Sequence, residues 1–270
     1  MPLGDYDEDS FTHDGKSRKV FRRGEGPAVI VIAEIPGITP AVVGFADRVV
    51  DLGCTAVMPH LFGEPGAKPS VGNGLSTIAW GCVSHEFATW MTGRTSPVTV
   101  WLRALARHEH ESCGGPGVGV VGMCFTGGFA LAMMVDDTVV APVLSQPSLP
   151  FPVSRRHKRD LGIDAGDLAR VKERCAAGTK VVGVRFTGDR VSPGERFQRL
   201  RDELGDAFVG VEIDSSKGNP HGIRKGAHSV LTDDLVDEPG HPTRDALDEV
   251  LDLFRSRLLV GQPGQPDPPG

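Results

Sequence analysis

The apolar positions of this chain come in short unbroken runs separated by longer amphipathic stretches. Ala28–Ala33 (AVIVIA) is a continuous β-branched run, the pattern of a strand buried on both faces of a parallel sheet. A helix is predicted to follow: Thr39 can cap it, Pro40 suits its first position, and Gly53 comes directly after the last periodic residue, Leu52. Ser96-Pro97 opens a second helix running to about His110, and Ser192-Pro193-Gly194-Glu195 reads as a capping box for one that stops at Gly205. Between these lie the strands Thr55–Met58, Val118–Met123, Val139–Leu144, Val181–Thr187 and Phe208–Ile213. Repeated strand–helix alternation predicts a mostly parallel central sheet with helices on both faces and right-handed crossovers.

Two stretches interrupt the alternation and are expected to be insertions over a site. Residues 60–95 begin Gly/Pro-rich and carry Trp80, Phe87 and Trp90. Residues 147–178 begin PSLPFP, continue with the basic run 155–159, and contain a predicted short helix, Gly166–Ala177. The tail, 261–270, has the composition of a disordered segment. The expectation is one domain over residues 1–260, without internal repeats.

Composition narrows the class. The chain has 270 residues, 39% apolar and 24% charged, with a formal charge of −6, the balance of a soluble globular protein. A mildly acidic chain offers no basic face for nucleic acid. The acidic start MPLGDYDEDS is unlike a signal peptide, and the apolar runs fall short of the ~20 residues that span a bilayer, so no membrane partner is expected. Five cysteines, at 54, 82, 113, 124 and 175, are odd in number and show no CxxC spacing. A reducing, cytoplasmic setting is the simpler expectation.

One of those thiols stands in a distinctive place. In VGVVGMCFTGGFALAM (118–133) a strand ends at Met123, a small apolar helix is predicted from about Phe125, and Cys124 occupies the junction among Gly122, Gly127 and Gly128. Small neighbours allow the sharp strand-to-helix turn of a nucleophile elbow, usually G-x-S-x-G, here with cysteine for serine and Thr126 at the second small position. A thiol at a helix N-terminus meets the positive end of the macrodipole, which favours thiolate. The plainer alternative is a buried cysteine among core glycines. Residues 117–122 also fit G-x-G-x-x-G, but those glycines span the strand rather than the strand–helix turn, which argues against a dinucleotide site.

A catalytic cysteine needs a base and an orienting acid from loops at the carboxyl ends of strands. Asp189 follows the strand 181–187 and suits the acid, although a turn aspartate capping the next helix is the common alternative. The loop after 208–213 holds His221 and His228. His228 is preferred, since tight Gly226-Ala227 precedes it and apolar Val230-Leu231 follows, whereas His221 after Asn219-Pro220 resembles an exposed turn. The order nucleophile, acid, histidine is that of α/β-hydrolases.

With these pieces in place the chain resembles the dienelactone hydrolase family over about residues 17–257. Four segments match in order: VIVIAEIPGI, GMCFTGG, TGDRVSP and GAHSV. The resemblance implies an α/β-hydrolase fold with a Cys124, Asp189, His228 triad, acting on small-molecule esters or lactones without cofactor or metal. It makes Glu34 the equivalent of the family's activating glutamate, and a carboxylate directly after six apolar strand residues would lie at the rim where such sheets bind ligands. The expected mechanism is proton removal from Cys124 by His228 or Glu34, attack on the carbonyl, and a thioester later hydrolysed by water. Backbone N–H groups of Phe125 and Ile35 would form the oxyanion hole.

The departures concern substrate. Members that cleave dienelactone bind its carboxylate with arginines, one of them four residues after the histidine, where this chain has Thr232. Arg224, Arg94, Arg103 and the run 155–159 are the candidates for an anion contact, against the plain reading of solvated surface. Dienelactone itself is therefore not the expected substrate. Trp80, Phe87, Trp90 and Phe125 are candidate pocket walls, and ordinary core packing is their alternative. Two rivals stand beside hydrolysis: a small-molecule-binding or redox-sensing protein with a reactive Cys124, and a metal site at 108–113 (HEHESC). The histidines of that segment are two apart and would face different ways on a helix, so a frayed polar helix end is the better expectation.

Overall fold

The structure is a computed structural model that describes residues 2–68 and 96–260. Eight strands form one sheet: β1 (Asp7–His13), β2 (Lys16–Arg23), β3 (Ala28–Ile32), β4 (Thr55–Pro59), β5 (Val118–Met123), β6 (Val139–Ser145), β7 (Val181–Phe186) and β8 (Phe208–Ile213). Their spatial order is β1-β2-β4-β3-β5-β6-β7-β8, with β1, β2 and β4 joined antiparallel and all other neighbours parallel. The helices are α1 (Pro40–Asp51), α2 (Pro97–Cys113), α3 (Phe129–Met133), α4 (Arg155–Arg159), α5 (Ala165–Ala176), α6 (Gly194–Leu204) and α7 (Pro242–Leu258).

The continuous apolar strands are buried on both faces because the pleat sends alternate side chains into two cores. Ile30 and Ile32 of β3 and Val118 and Val120 of β5 enter the layer beneath α2, α3, α5 and α6. Val29, Val31, Val121 and Met123 enter the layer beneath α1 and α7, with Phe45 and Phe254. The predicted caps of α1 and α2 form as expected: Thr39 Oγ1 accepts the Val42 N–H at 3.3 Å and Ser96 Oγ that of Thr99 at 3.2 Å.

Three features depart from the expectation. The β1–β2 hairpin pairs mostly polar strands, turned by Asp14 and Gly15 at φ 48° and 72°, both in the left-handed region that a tight hairpin demands. Helix α6 starts at Gly194 without a side-chain cap, because the N-cap position falls on Pro193, whose side chain carries no acceptor, and the Ser192 N–H is held instead by Asp189 Oδ1 at 3.2 Å. The HEHE segment is a continued helix rather than a frayed end, since Glu109 is buried against Arg22 of β2 (Nε to Oε1, 3.0 Å) and His108 stacks on Phe11.

This Arg22–Glu109 pair bolts the antiparallel edge of the sheet to α2. Removing the cation leaves a buried carboxylate uncompensated, so Arg22→Met is expected to lower unfolding free energy by about 3 kcal/mol. Arg22→Met combined with Glu109→Leu should regain most of it, and urea denaturation of the two variants checks both statements.

Candidate active site

Cys124 terminates β5 with φ 52°, a left-handed conformation that a non-glycine residue adopts only when its surroundings impose it. The imposition comes from close backbone approach on both sides. A Cβ at Gly122 would stand 2.3 Å from the Thr126 carbonyl oxygen, and one at Gly127 2.6 Å from Pro147 Cα. Thr126, at the position where a small residue was expected, is buried and uses its hydroxyl instead: it accepts the Met123 N–H at 3.0 Å and donates to the Ile32 carbonyl at 2.9 Å. It thereby ties the elbow to the end of β3, two residues before Glu34. The helix expected from Phe125 is a 3₁₀ turn, Cys124–Thr126, followed by the five-residue α3. So short an element adds little dipole, and the charged partner of the sulfur is a histidine.

That histidine is His228. Its Nδ1 meets Asp189 Oδ2 at 2.6 Å, while Asp189 Oδ1 accepts the N–H groups of Val191 (2.9 Å) and Ser192 (3.2 Å). The turn role and the orienting role of Asp189 are thus filled at once, one by each oxygen. On the histidine loop, Asp234 Oδ2 accepts the N–H groups of His228 and Ser229, and Arg224 grips Asp234 with Nε at 2.9 Å and Nη2 at 3.0 Å. The charge of Arg224 is therefore engaged in holding the loop. Burial opposes the charge on His228, but the neighbouring Cys124 sulfur and the Asp189 carboxylate outweigh it and push the imidazole up to about 11.

Glu34, one residue beyond Ala33 on the β3 side, completes the cluster. One ligating atom each of Glu34, Cys124 and His228 lie within 4.8 Å of one another. The Glu34 carboxylate is 3% exposed and accepts from Ser229 Oγ (2.7 Å), Gln146 Nε2 (3.3 Å) and the Thr232 hydroxyl. Burial pushes its carboxyl upward, against the two hydroxyls and His228, which favour the anion. Sulfur, nitrogen and carboxylate oxygen are types that bind zinc, and the same groups, with His228 oriented by Asp189 and Glu34 by two hydroxyls, are also a set that can move protons.

Several contributors had no motif to mark them. Gln146, buried at φ 34°, bridges Glu34 and the Val230 N–H; Ser148 places its hydroxyl 3.3 Å from Cys124 Sγ; Ser229 and Thr126 act as described. The strand end before 147–178 and the residue after His228 are the positions at which to look. Phe125 is buried between Phe62 and Phe151, at ring separations of 6.2 and 6.5 Å, and Ile35 follows Glu34 at a turn closed by Gly37 N–H to the Glu34 carbonyl. Arg103 donates to the Ala132 carbonyl and Asp167, and Lys158 and Arg159 pair with Glu195 and Asp202. His221 is exposed beside His241, away from Asp189. Trp80, Phe87, Trp90 and Arg94 lie outside the described residues, as do Cys82 and the tail.

A mostly parallel eight-stranded sheet in this order, flanked by helices and bearing an elbow at the end of β5, defines an α/β-hydrolase fold. The model of the dienelactone hydrolase family matches residues 17–258, and the chain belongs to that family. Among solved structures, a dienelactone hydrolase-like promiscuous phosphotriesterase from metagenomic libraries aligns at TM-score 0.63 and 17% identity, covering 94% of this chain and 98% of that one. A dienelactone hydrolase-type protein of Klebsiella pneumoniae aligns at 0.61 and 17% identity, covering 92% and 97%. A cold-adapted esterase from an Arctic intertidal metagenomic library aligns at 0.59 and 13% identity, covering 93% of each chain. No curated protein matches the chain in sequence. No helix among the described residues is long and apolar enough to cross a membrane.

Two measurements test this geometry. Burial pushes Cys54 up to about 11 and raises Cys113 and Cys175 as well, whereas Cys124 sits beside an imidazolium. Iodoacetamide at neutral pH should therefore modify Cys124 before those three, as read by peptide mass mapping. His228 is raised from 6.5 to about 11, so the stability it contributes is complete below 6.5 and is lost as pH climbs through about 11. Urea denaturation across that window should show this decline, and Cys124→Ser, which removes the larger raising influence, should flatten it more than Asp189→Asn.

Proposed function

We propose that the protein hydrolyses uncharged carboxylic esters or lactones through a Cys124 nucleophile and an acyl-thioester intermediate. The observation that carries this reading is the cluster of Cys124, His228 and Glu34 within 4.8 Å, with His228 held by Asp189 at 2.6 Å. The thiolate attacks the carbonyl carbon, a C–S bond forms, and the carbonyl electron pair moves to oxygen, where the N–H groups of Phe125 and Ile35 are assigned to hold it. Collapse expels the alkoxide, which takes its proton from His228. With the sulfur acylated, the negative charge that raised His228 is gone, so the imidazole can accept a proton from water. The hydroxide adds to the thioester, the C–S pair returns to sulfur, the acid leaves, and the thiolate–imidazolium pair is restored.

An uncharged acyl group is favoured by the surroundings of Glu34. Its described partners are two hydroxyls and an amide, so an incoming carboxylate would face a buried carboxylate without an arginine among those contacts to offset the repulsion. A reactive-thiol sensor remains the second reading, because a triad-like charge pair would serve that role too.

Hydrolysis of p-nitrophenyl acetate separates the two. Cys124→Ala should fall to background; equal, background-level rates for variant and wild type would sink the hydrolase reading, and equal rates above background would sink Cys124 as its nucleophile. His228→Ala should lower turnover by about 10²–10⁴, the range for lost acid–base catalysis, with His221→Ala near wild type.

A further inference from the structure

The hydroxyl of Ser148 is placed to act on the sulfur itself. Ser148 follows β6 in the loop Gln146–Pro150, is 1% exposed, and lies with Oγ 3.3 Å from Cys124 Sγ. A buried hydroxyl without a partner is costly, and among the described residues the sulfur is the partner this one has. The contact is not incidental to a loose loop. The Ser148 N–H donates to the Cys124 carbonyl at 3.0 Å, so the two residues are clasped by backbone and side chain together. The loop is fixed from behind by Arg196 of α6, a guanidinium 1% exposed that donates to the carbonyls of Pro147 (2.6 Å), Pro150 (2.5 Å), Asp160 (2.8 Å) and His157 (3.1 Å). Five donors in a rigid fork suit this task, and four carbonyls of the inserted segment converge on them.

Resting on the reading of Cys124 as nucleophile, we propose that Ser148 is a further catalytic residue, donating its hydroxyl hydrogen to the Cys124 thiolate across from His228. A thiolate accepts hydrogen bonds more strongly than a thiol or a thioester sulfur does. The bond is therefore strongest in the resting pair and again when the C–S bond breaks in deacylation, where the electron pair returns to sulfur. It is weakest in the acyl-enzyme. Ser148 holds the sulfur in place before attack and stabilises it as a leaving group afterwards. The contact also explains why the strand end before the insertion runs directly over the elbow, with Pro147 packed where a Cβ on Gly127 would stand.

The test reads the sulfur rather than turnover. Iodoacetamide alkylation of the Cys124 peptide is followed by mass spectrometry from about pH 5 to 10 in the full chain, wild type against Ser148→Ala. Loss of a hydrogen bond to a charged acceptor should move the midpoint alkaline by about one pH unit. The high-pH plateau should stay level or rise by up to about threefold, since a more basic thiolate is more nucleophilic. Ser148→Thr, which keeps the hydroxyl, should restore the midpoint. A midpoint unmoved in Ser148→Ala overturns the proposal, and so does a lowered plateau without movement, the mark of a packing role alone. Should circular dichroism show that the alanine variant does not fold, Ser148→Gly, which also removes the hydroxyl, is read by the same two criteria. Hydrolysis is scored separately: activity surviving in Cys124→Ala defeats the reading of Cys124 as nucleophile, while the alkylation profile still decides the Ser148 contact.

Discussion

The left-handed backbone at Cys124 is the constraint from which the rest of the site is built. β5 lies between β3 and β6 at the middle of the sheet, so a sharp bend at its end can be reached by residues from both neighbours. A non-glycine residue at φ 52° is held there against its own preference, which requires that the surrounding contacts over-determine it. They do so from two directions. Thr126 ties the turn to β3, whose continuation carries Glu34, and Ser148 ties it to the loop after β6. The same contacts that hold the bend therefore deliver the neighbours of the sulfur.

Around that bend the polar groups are buried and shared. Glu34, Gln146, Ser229 and Thr232 form one network reaching from β3 across β6 to the histidine loop. Each member is satisfied by another, which is the condition under which a buried polar cluster fixes one geometry instead of weakening a core. Outside it, described arginines, two of them candidate anion contacts in the sequence, work as braces. Arg224 holds Asp234, which holds the backbone of His228; Arg196 holds the loop that carries Ser148; Arg103 holds the end of α3 through Ala132.

What the sequence made legible follows from where the physics is local. Central strands such as Val118–Met123 and Val181–Phe186 are short apolar runs whose burial on both faces leaves no alternative periodicity, and they form within the predicted bounds. Proline-preceded caps at Thr39 and Ser96 are equally local. The edge hairpin was not legible from hydrophobicity because an edge strand such as Asp7–His13 buries little; only Asp14-Gly15 marked it. Helix α7 carries no such local start signal as a Ser or Thr, its N-cap being His241. At the site, Cys124, Asp189, His228 and Glu34 sit on strand-end motifs and could be named, whereas Ser148, Gln146 and Arg196 act through loops whose course depends on the folded sheet.

In the proposed mechanism the charge on His228 links these parts into a cycle. Burial alone would keep the imidazole neutral, and Asp189 alone would have to work against that burial; the adjacent sulfur tips the balance, which is why the group reaches about 11. A group so strongly protonated makes a poor base, so a site with fixed charges would stall after the first step. In the mechanism proposed above the raising influence sits on the atom that would react. Acylation would neutralise the sulfur, the histidine would lose its strongest reason to hold a proton at the moment it had given one to the leaving group, and water would become its substrate. Release of the sulfur would return the charge, and with it the proton. The buried Glu34, held by hydroxyls, lies within reach of both partners throughout, so its carboxyl can steady the imidazolium in either half of the cycle. The elbow, by fixing how near the sulfur stands to the ring, sets the size of that alternation.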